Sequence, residues 1–400
     1  MKGIELSRRF YLEWMKPLLD THYPSLNYSA ALIGPGSEVL GYDTDLSQDH
    51  DWGPRVQLFL CGENNALTDE LRTFVTERLP ESFRGFPIEP HKTVVTTLQQ
   101  YVWDCLAYDV REPLDELDWL TFPAQTLLEL TKGEVFRDDG EQLAALRGRL
   151  QYYPQDVWFY LIASAWQRIG QEEHLMCRAG HAGDELGSAV IASRLVRDVM
   201  NLCFLMERQY APYPKWFGTA FGKLACAELL TGELWKVQTA TSWKEREQAL
   251  NQVYGHLARM HNALGIMEPV TEEASSFFSR PFMVMNGGGE IVGLLEKEIQ
   301  HPAVQWLFGN RMIGSIDQIT DNTDFRMINT WRDGAGESAR SVLKDLYLFG
   351  ESLDDVARRV ANGHYVEQTL PGPDPERDKM ISEAIAQIKA NRFVDKKARQ

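Results

Sequence analysis

Residues 31–60 read ALIGPGSEVLGYDTDLSQDHDWGPRVQLFL. Two apolar runs flank Gly34-Pro35-Gly36-Ser37 and four aspartates, Asp43, Asp45, Asp49 and Asp51. Crowded carboxylates repel one another unless water or a cation screens them. One reading is a solvated loop whose aspartates close turns through Asx bonds. The spacing supplies a second reading. Gly36-Ser37 follows a strand, and Asp49 and Asp51 lie two apart before the next one. In an extended segment such a pair shares a face. Two carboxylates on one face suit Mg²⁺, which takes oxygen ligands and leaves sites for phosphate oxygens. A Gly-Ser turn presents N–H groups and a hydroxyl to those phosphates. Asp43-Thr44-Asp45 is a competing Asp-x-Asp.

The neighbouring segments predict a small α/β unit. Apolar residues Phe10, Trp14 and Leu18 recur at helical spacing over 3–20. YSAALIG and RVQLFL read as strands, and LTDELRTFVTERLP as a helix ending at proline. KTVVTTLQQYVW is β-branched and reads as a further strand. It contains no carboxylate, although Glu89 and Asp104 flank it. Pro54 implies an edge or a bulge where the second strand begins.

Beyond residue 120 the pattern becomes helical. PAQTLLELTKGEVFRDDGEQLAALRGRL reads as helix, turn, helix, and two long apolar helices follow. The expected fold class is α+β: a mixed-sheet domain over 1–120 and a mainly helical domain over 121–370. A small α/β appendage from about 270 is an option. Residues 371–400 read as a linker and a terminal helix.

Composition narrows the partners. With 57 Asp+Glu against 41 Lys+Arg, the net charge is −16. Such a surplus disfavours broad contact with nucleic-acid phosphates. No run is long enough to span a membrane, and no signal peptide is read at the start, so the expected location is cytoplasmic. Five cysteines without a CxxC pair read as reduced, buried thiols. His256 and His261 are five apart, off the spacing of a zinc pair.

GSEVLGYDTDLSQDHD resembles the signature of the nucleotidyltransferase superfamily, in which Gly-Ser precedes an Asp-x-Asp by roughly ten residues. The resemblance implies Gly36 and Ser37 as substrate-binding turn residues and Asp49 and Asp51 as catalytic metal ligands. More widely, DHDWGPRV, GEVFRDDGEQLAALRGRL and GDELGSAVIASRLVRDVMNLCFLMERQYAPYPKWFGTAF resemble the DUF4037 proteins, a bacterial family of unknown function within that superfamily. QYAPYPKWFGTAFGK is similar to a segment that faces the active site in antibiotic nucleotidyltransferases. That implies a triphosphate contact for Lys215, whose other reading is a surface lysine with a snorkelling stem. A carboxylate from the loop between the two long helices is expected to act as base. The candidates are Glu172, Glu173, Asp184 and Glu185, with Asp184 taken as the representative. The resulting expectation is Mg²⁺-dependent transfer of a nucleoside monophosphate from an NTP to a hydroxyl of a small molecule or protein. A catalytically inactive nucleotide- or ligand-binding module is the alternative.

Overall fold

A computed structural model describes residues 1–49, 52–285, 287–323, 326, 335–348, 355 and 358, with side chains for all of these except 48, 49, 287 and 335–339. Residues Met1–Leu353 pack as one unit and Asp354–Gln400 as another. The expected terminal helix of 371–400 lies outside the described residues.

The chain opens with helix α1 (Gly3–Phe10), a π turn at Tyr11–Met15, and α2 (Lys16–His22). Strand β1 (Tyr28–Leu32) is buried at every position. After the aspartate loop come β2 (Gln57–Leu60) and α3 (Thr68–Arg78). A two-residue ribbon, β3 (Ser82–Phe83) and β4 (Phe86–Pro87), precedes β5 (Val94–Thr97). Then follow α4 (Leu98–Leu106), α5 (Glu116–Thr121), α6 (Ala124–Thr131), β6 (Glu134–Asp138) and α7 (Gln142–Arg149). The sheet order is β5-β2-β1-β6. β1 runs antiparallel to both β2 and β6, whereas β2 and β5 are parallel, so the sheet is mixed and the fold class is α+β. One face packs Tyr28, Ala30, Leu58, Leu60 and Val95 against Phe10, Tyr11, Met15, Leu71 and Val75 of the helices. Each Leu, Val, Phe and Met among them contributes about 1.5–3 kcal/mol on full burial.

Two expectations are corrected here. KTVVTTLQQYVW is a strand only over Val94–Thr97. The Thr97 hydroxyl accepts from Gln100 N at 3.1 Å and starts α4, where Tyr101, Val102, Cys105 and Leu106 are buried with helical spacing. The segment between α6 and α7 is not a simple turn, because β6 pairs with β1, with an irregularity in register at Ala30/Ala31.

The helical part holds α8 (Gln155–His181), α9 (Glu185–Met206), α10 (Pro214–Phe221), α11 (Ala227–Thr239) and α12 (Trp243–Ala263). Val157 to Trp166 of α8 are buried without a break, which makes it the central helix. The Ser242–Glu245 capping box starts α12. Further along are a ribbon of β7 (Ser275–Ser276) and β8 (Met283–Val284), then α13 (Gly287–Glu296), α14 (Pro302–Asn310), α15 (Ile316–Ile319) and α16 (Ala335–Leu348). Among the described residues no helix is long and apolar enough to cross a membrane. Four of the five thiols are buried and Cys61 is half-buried.

Candidate functional site

The Gly-Ser turn forms where β1 leaves the sheet. The Gln57 amide extends the ladder by one residue: Ile33 N donates to its Oε1 and its Nε2 donates to Ile33 O, both at 3.1 Å. Beyond that the backbone needs glycine. Gly34 has φ +85° and Gly36 φ +134°, values that residues with a Cβ rarely adopt. A Cβ on Gly34 would strike the Tyr101 hydroxyl, and one on Gly36 would strike the Arg55 guanidinium. Arg55 holds the turn from beneath. Its Nη2 donates to Pro35 O at 2.5 Å and to Glu38 Oε1 at 2.7 Å. Both partners of this pair are buried. Burial pushes the Glu38 carboxyl up, against the opposing pull of Arg55. Tyr42 N donates to Ser37 O at 2.9 Å and closes the loop. Ser37 is half-buried, and its hydroxyl makes no hydrogen bond among the described residues.

The four aspartates separate in role. Asp43 is buried and accepts from Gly3 N at 2.9 Å and Trp52 Nε1 at 3.3 Å, with Lys2 alongside. It ties the start of α1 to the loop, so it does not compete as a metal ligand. Burial raises its carboxyl, but these hydrogen bonds and Lys2 outweigh that and hold it below the usual range. Asp45–Asp49 form a 3₁₀ turn, with Asp45 exposed. Asp49 therefore ends a turn rather than starting a strand. β2 begins only at Gln57, after Gly53 at φ +136° and Pro54 have broken the extended run. Asp51 lies outside the described residues, as does the Asp49 side chain. Among the described residues no three His, Cys, Asp or Glu side chains converge as a metal cluster.

Two connections bring the helical part to the turn. The first is a buried relay. Gly34 N donates to Glu129 O at 3.0 Å, Gln125 Nε2 to Glu129 Oε1 at 2.6 Å, and Tyr213 N to Gln125 Oε1 at 2.8 Å. The second is aromatic. The Tyr42 and Trp216 rings stack with centroids 5.4 Å apart. Lys223 Nζ lies 4.0 Å from the Tyr42 centroid, and Lys215 Nζ 5.2 Å from that of Trp216. Both lysines are exposed, and neither pairs with a carboxylate among the described residues. Trp216 Nε1 is buried with no partner among them. The loop after Gly36 and Ser37 is thus linked through Tyr42 to Trp216, the chain neighbour of Lys215. A Lys-Trp pair eight residues before a second lysine is the only sequence signal for the group of Tyr42, Trp216 and Lys223.

Asp184 is not brought there. It caps α9, accepting from Gly187 N at 2.7 Å. At 1.5 Å per residue, the 22 residues of α9 separate it by about 33 Å from the helix end that leads to α10. Among the alternatives, Glu172 pairs with Arg194, Glu185 with Arg246, and buried Glu173 accepts from Met285 N. β5 supplies no carboxylate. One that sequence reasoning missed, Glu134 of β6, sits opposite Leu32 at the turn's end of the sheet. It is held by Arg8, with both contacts at 2.5 Å.

Fold and site together define an α+β chain in which a Gly-Ser turn on a mixed sheet is tied to a helical region carrying two lysines that pair with no carboxylate among the described residues. Residues 119–217, from α5 into α10, match the family model described as Domain of unknown function (DUF4037). A solved nucleotidyltransferase-like protein from Exiguobacterium sibiricum 255-15 is similar at 10% identity and a TM-score of 0.29, over 65% of this chain and 75% of that one. No curated protein matches the chain.

Proposed function

We propose that this protein is a Mg²⁺-dependent nucleotidyltransferase that moves a nucleoside monophosphate from an NTP to a hydroxyl of a small molecule or protein. The observation that carries the reading is the Tyr42–Trp216 stack, which ties the loop closed on Ser37 to the helix carrying Lys215, with Lys223 over the Tyr42 ring. In a chain of net charge −16, these two lysines pair with no carboxylate among the described residues, and Arg55 fixes the turn through Pro35 O. The backbone N–H groups of Gly36 and Ser37, the Ser37 hydroxyl and the two ammonium groups are donors suited to a triphosphate. Asp49 and Asp51 are the proposed Mg²⁺ ligands; their oxygens are the hard donors this cation prefers. The cation supplies charge neutralisation at the phosphates. The acceptor oxygen attacks the α-phosphorus, pyrophosphate leaves, and the acceptor proton passes to solvent or base. The acidic surface argues against a nucleic-acid acceptor and fits a cytoplasmic enzyme acting on small molecules or proteins.

The absence of a carboxylate from β5 favours a second reading, an inactive nucleotide-binding module on the same fold. Labelled ATP, GTP, CTP and UTP offered with total tRNA, a metabolite extract or cell protein separate the two. Label transfer to metabolite or protein is expected. Nucleotide binding without transfer supports the second reading, and label chiefly on tRNA overturns the acceptor class.

A further inference from the structure

We infer that the buried Arg55–Glu38 pair sets how tightly the Gly-Ser turn holds an anion, Arg55 strengthening the turn's donor and Glu38 restraining it. On the nucleotidyl-transfer reading, on which this rests, the anion is the triphosphate of the nucleotide. The Pro35–Gly36 peptide links the pair to the turn. A trans peptide is planar, and its C=O and N–H point in opposite directions. Arg55 Nη2 donates to Pro35 O at 2.5 Å from the buried side. The Gly36 N–H is thereby aimed away from the guanidinium, and it donates to no group among the described residues. A charged donor on the carbonyl polarises the peptide and makes the N–H at its other end a stronger donor.

Glu38 opposes this. Its Oε1 accepts from Arg55 Nε at 3.1 Å and Nη2 at 2.7 Å. Its Oε2 is buried and has no hydrogen bond among the described residues. A Cβ built on Gly36 would lie 2.3 Å from Arg55 Nη2 and 2.7 Å from Glu38 Oε2, so both charges stand directly behind the turn. Glu38 is 1% exposed, and charges shut away from water are screened little. The nearby carboxylate of Asp43 is met by Lys2. An anion on the turn is therefore drawn by Arg55 and repelled by Glu38. Such a balance suits a turn that must let pyrophosphate go after each transfer.

The test is calorimetry on the full chain with inorganic pyrophosphate in the absence of Mg²⁺, and with ATP and Mg²⁺ on the same samples. Glu38→Gln keeps the shape and an acceptor for Arg55 but deletes the negative charge. It should bind pyrophosphate about tenfold more tightly, while its melting temperature falls because Arg55 loses its counter-charge. A side chain that only props the turn would weaken binding when altered, so the sign of the change separates the two roles. Glu38→Gln/Arg55→Gln removes both charges and leaves no unpaired buried one, and it should bind within about threefold of the parent. That variant carries the test where the single one does not fold. Equal or weaker pyrophosphate binding in folded Glu38→Gln, a tenfold loss in the double variant, or no pyrophosphate binding by any of these chains overturns the inference. ATP separates the claims. ATP binding in the parent with no tightening in Glu38→Gln defeats the role of the pair alone, whereas tightened pyrophosphate binding without ATP binding upholds that role and defeats the transferase reading.

Discussion

Tyr42 stacks on Trp216 with ring centroids 5.4 Å apart, joining the loop after the Gly-Ser turn to α10. Such a pair contributes about 0.5–1.5 kcal/mol beyond burial. Tyr42→Phe keeps the ring and should leave thermal stability and nucleotide affinity close to the parent. Tyr42→Ala removes the stack and the platform under Lys223, so both should fall. Thermal denaturation and ATP calorimetry on the two variants check this.

Lys215 lies in the first turn of α10 beside Trp216, and Lys223, two residues past its end, lies over Tyr42, the ring stacked on Trp216. Methionine keeps most of the apolar stem and deletes the charge. Each Lys→Met change should weaken ATP binding by about 1.5–3 kcal/mol, the worth of a hydrogen bond from a charged group. Both side chains are exposed, so the melting temperature without ligand should barely move. Unchanged affinity in both variants would remove α10 from the site.

Asp43 is predicted to act on stability alone. Its folded-state pKa is depressed, so its contribution is present above the unfolded value and is lost as pH falls through the folded one. Asp43→Asn should cost about 1–3 kcal/mol in denaturant unfolding at pH 7, by weakening the contacts to Gly3 N and Lys2. Its Mg²⁺-dependent ATP affinity should match the parent.

His261 sets a second pH window. It is buried in α12, accepts from Trp166 Nε1 at 3.2 Å, and burial lowers its pKa from 6.5 to about 4. A depressed histidine contributes stability that is fully present above its unfolded pKa and is lost as pH falls toward the folded one. At about 1.4 kcal/mol per tenfold, the loss between those values is roughly 3 kcal/mol. Urea titrations from pH 7 to pH 4 should show it in the parent and not in His261→Gln.

Much of this architecture was legible in the sequence. β1 and β2 are short apolar runs bounded by Gly and Pro, and the long helices carry an apolar period that survives burial. β6 was hidden because five residues between two helical patterns gain strand character only by pairing with β1. The end of β5 was hidden because Thr97 suits a strand and caps a helix equally well. In the site, the glycines of the turn were readable from the strain they relieve. The Tyr42–Trp216 stack and the Arg8 grip on Glu134 join residues far apart in sequence, and no local pattern encodes them. Asp184 was read as facing the turn because a polar loop between apolar helices looks like a mouth; helix length places it at the far end.

The central claim is that Asp49 and Asp51 hold a Mg²⁺ ion that fixes a nucleoside triphosphate against the Gly34–Ser37 turn. Calorimetric ATP titrations with and without Mg²⁺, on the parent chain and on Asp51→Asn, test it most directly. Mg²⁺-dependent binding is expected in the parent, its loss in Asp51→Asn, and an unchanged melting temperature for the unliganded variant. Equal, Mg²⁺-dependent binding in both chains would contradict it.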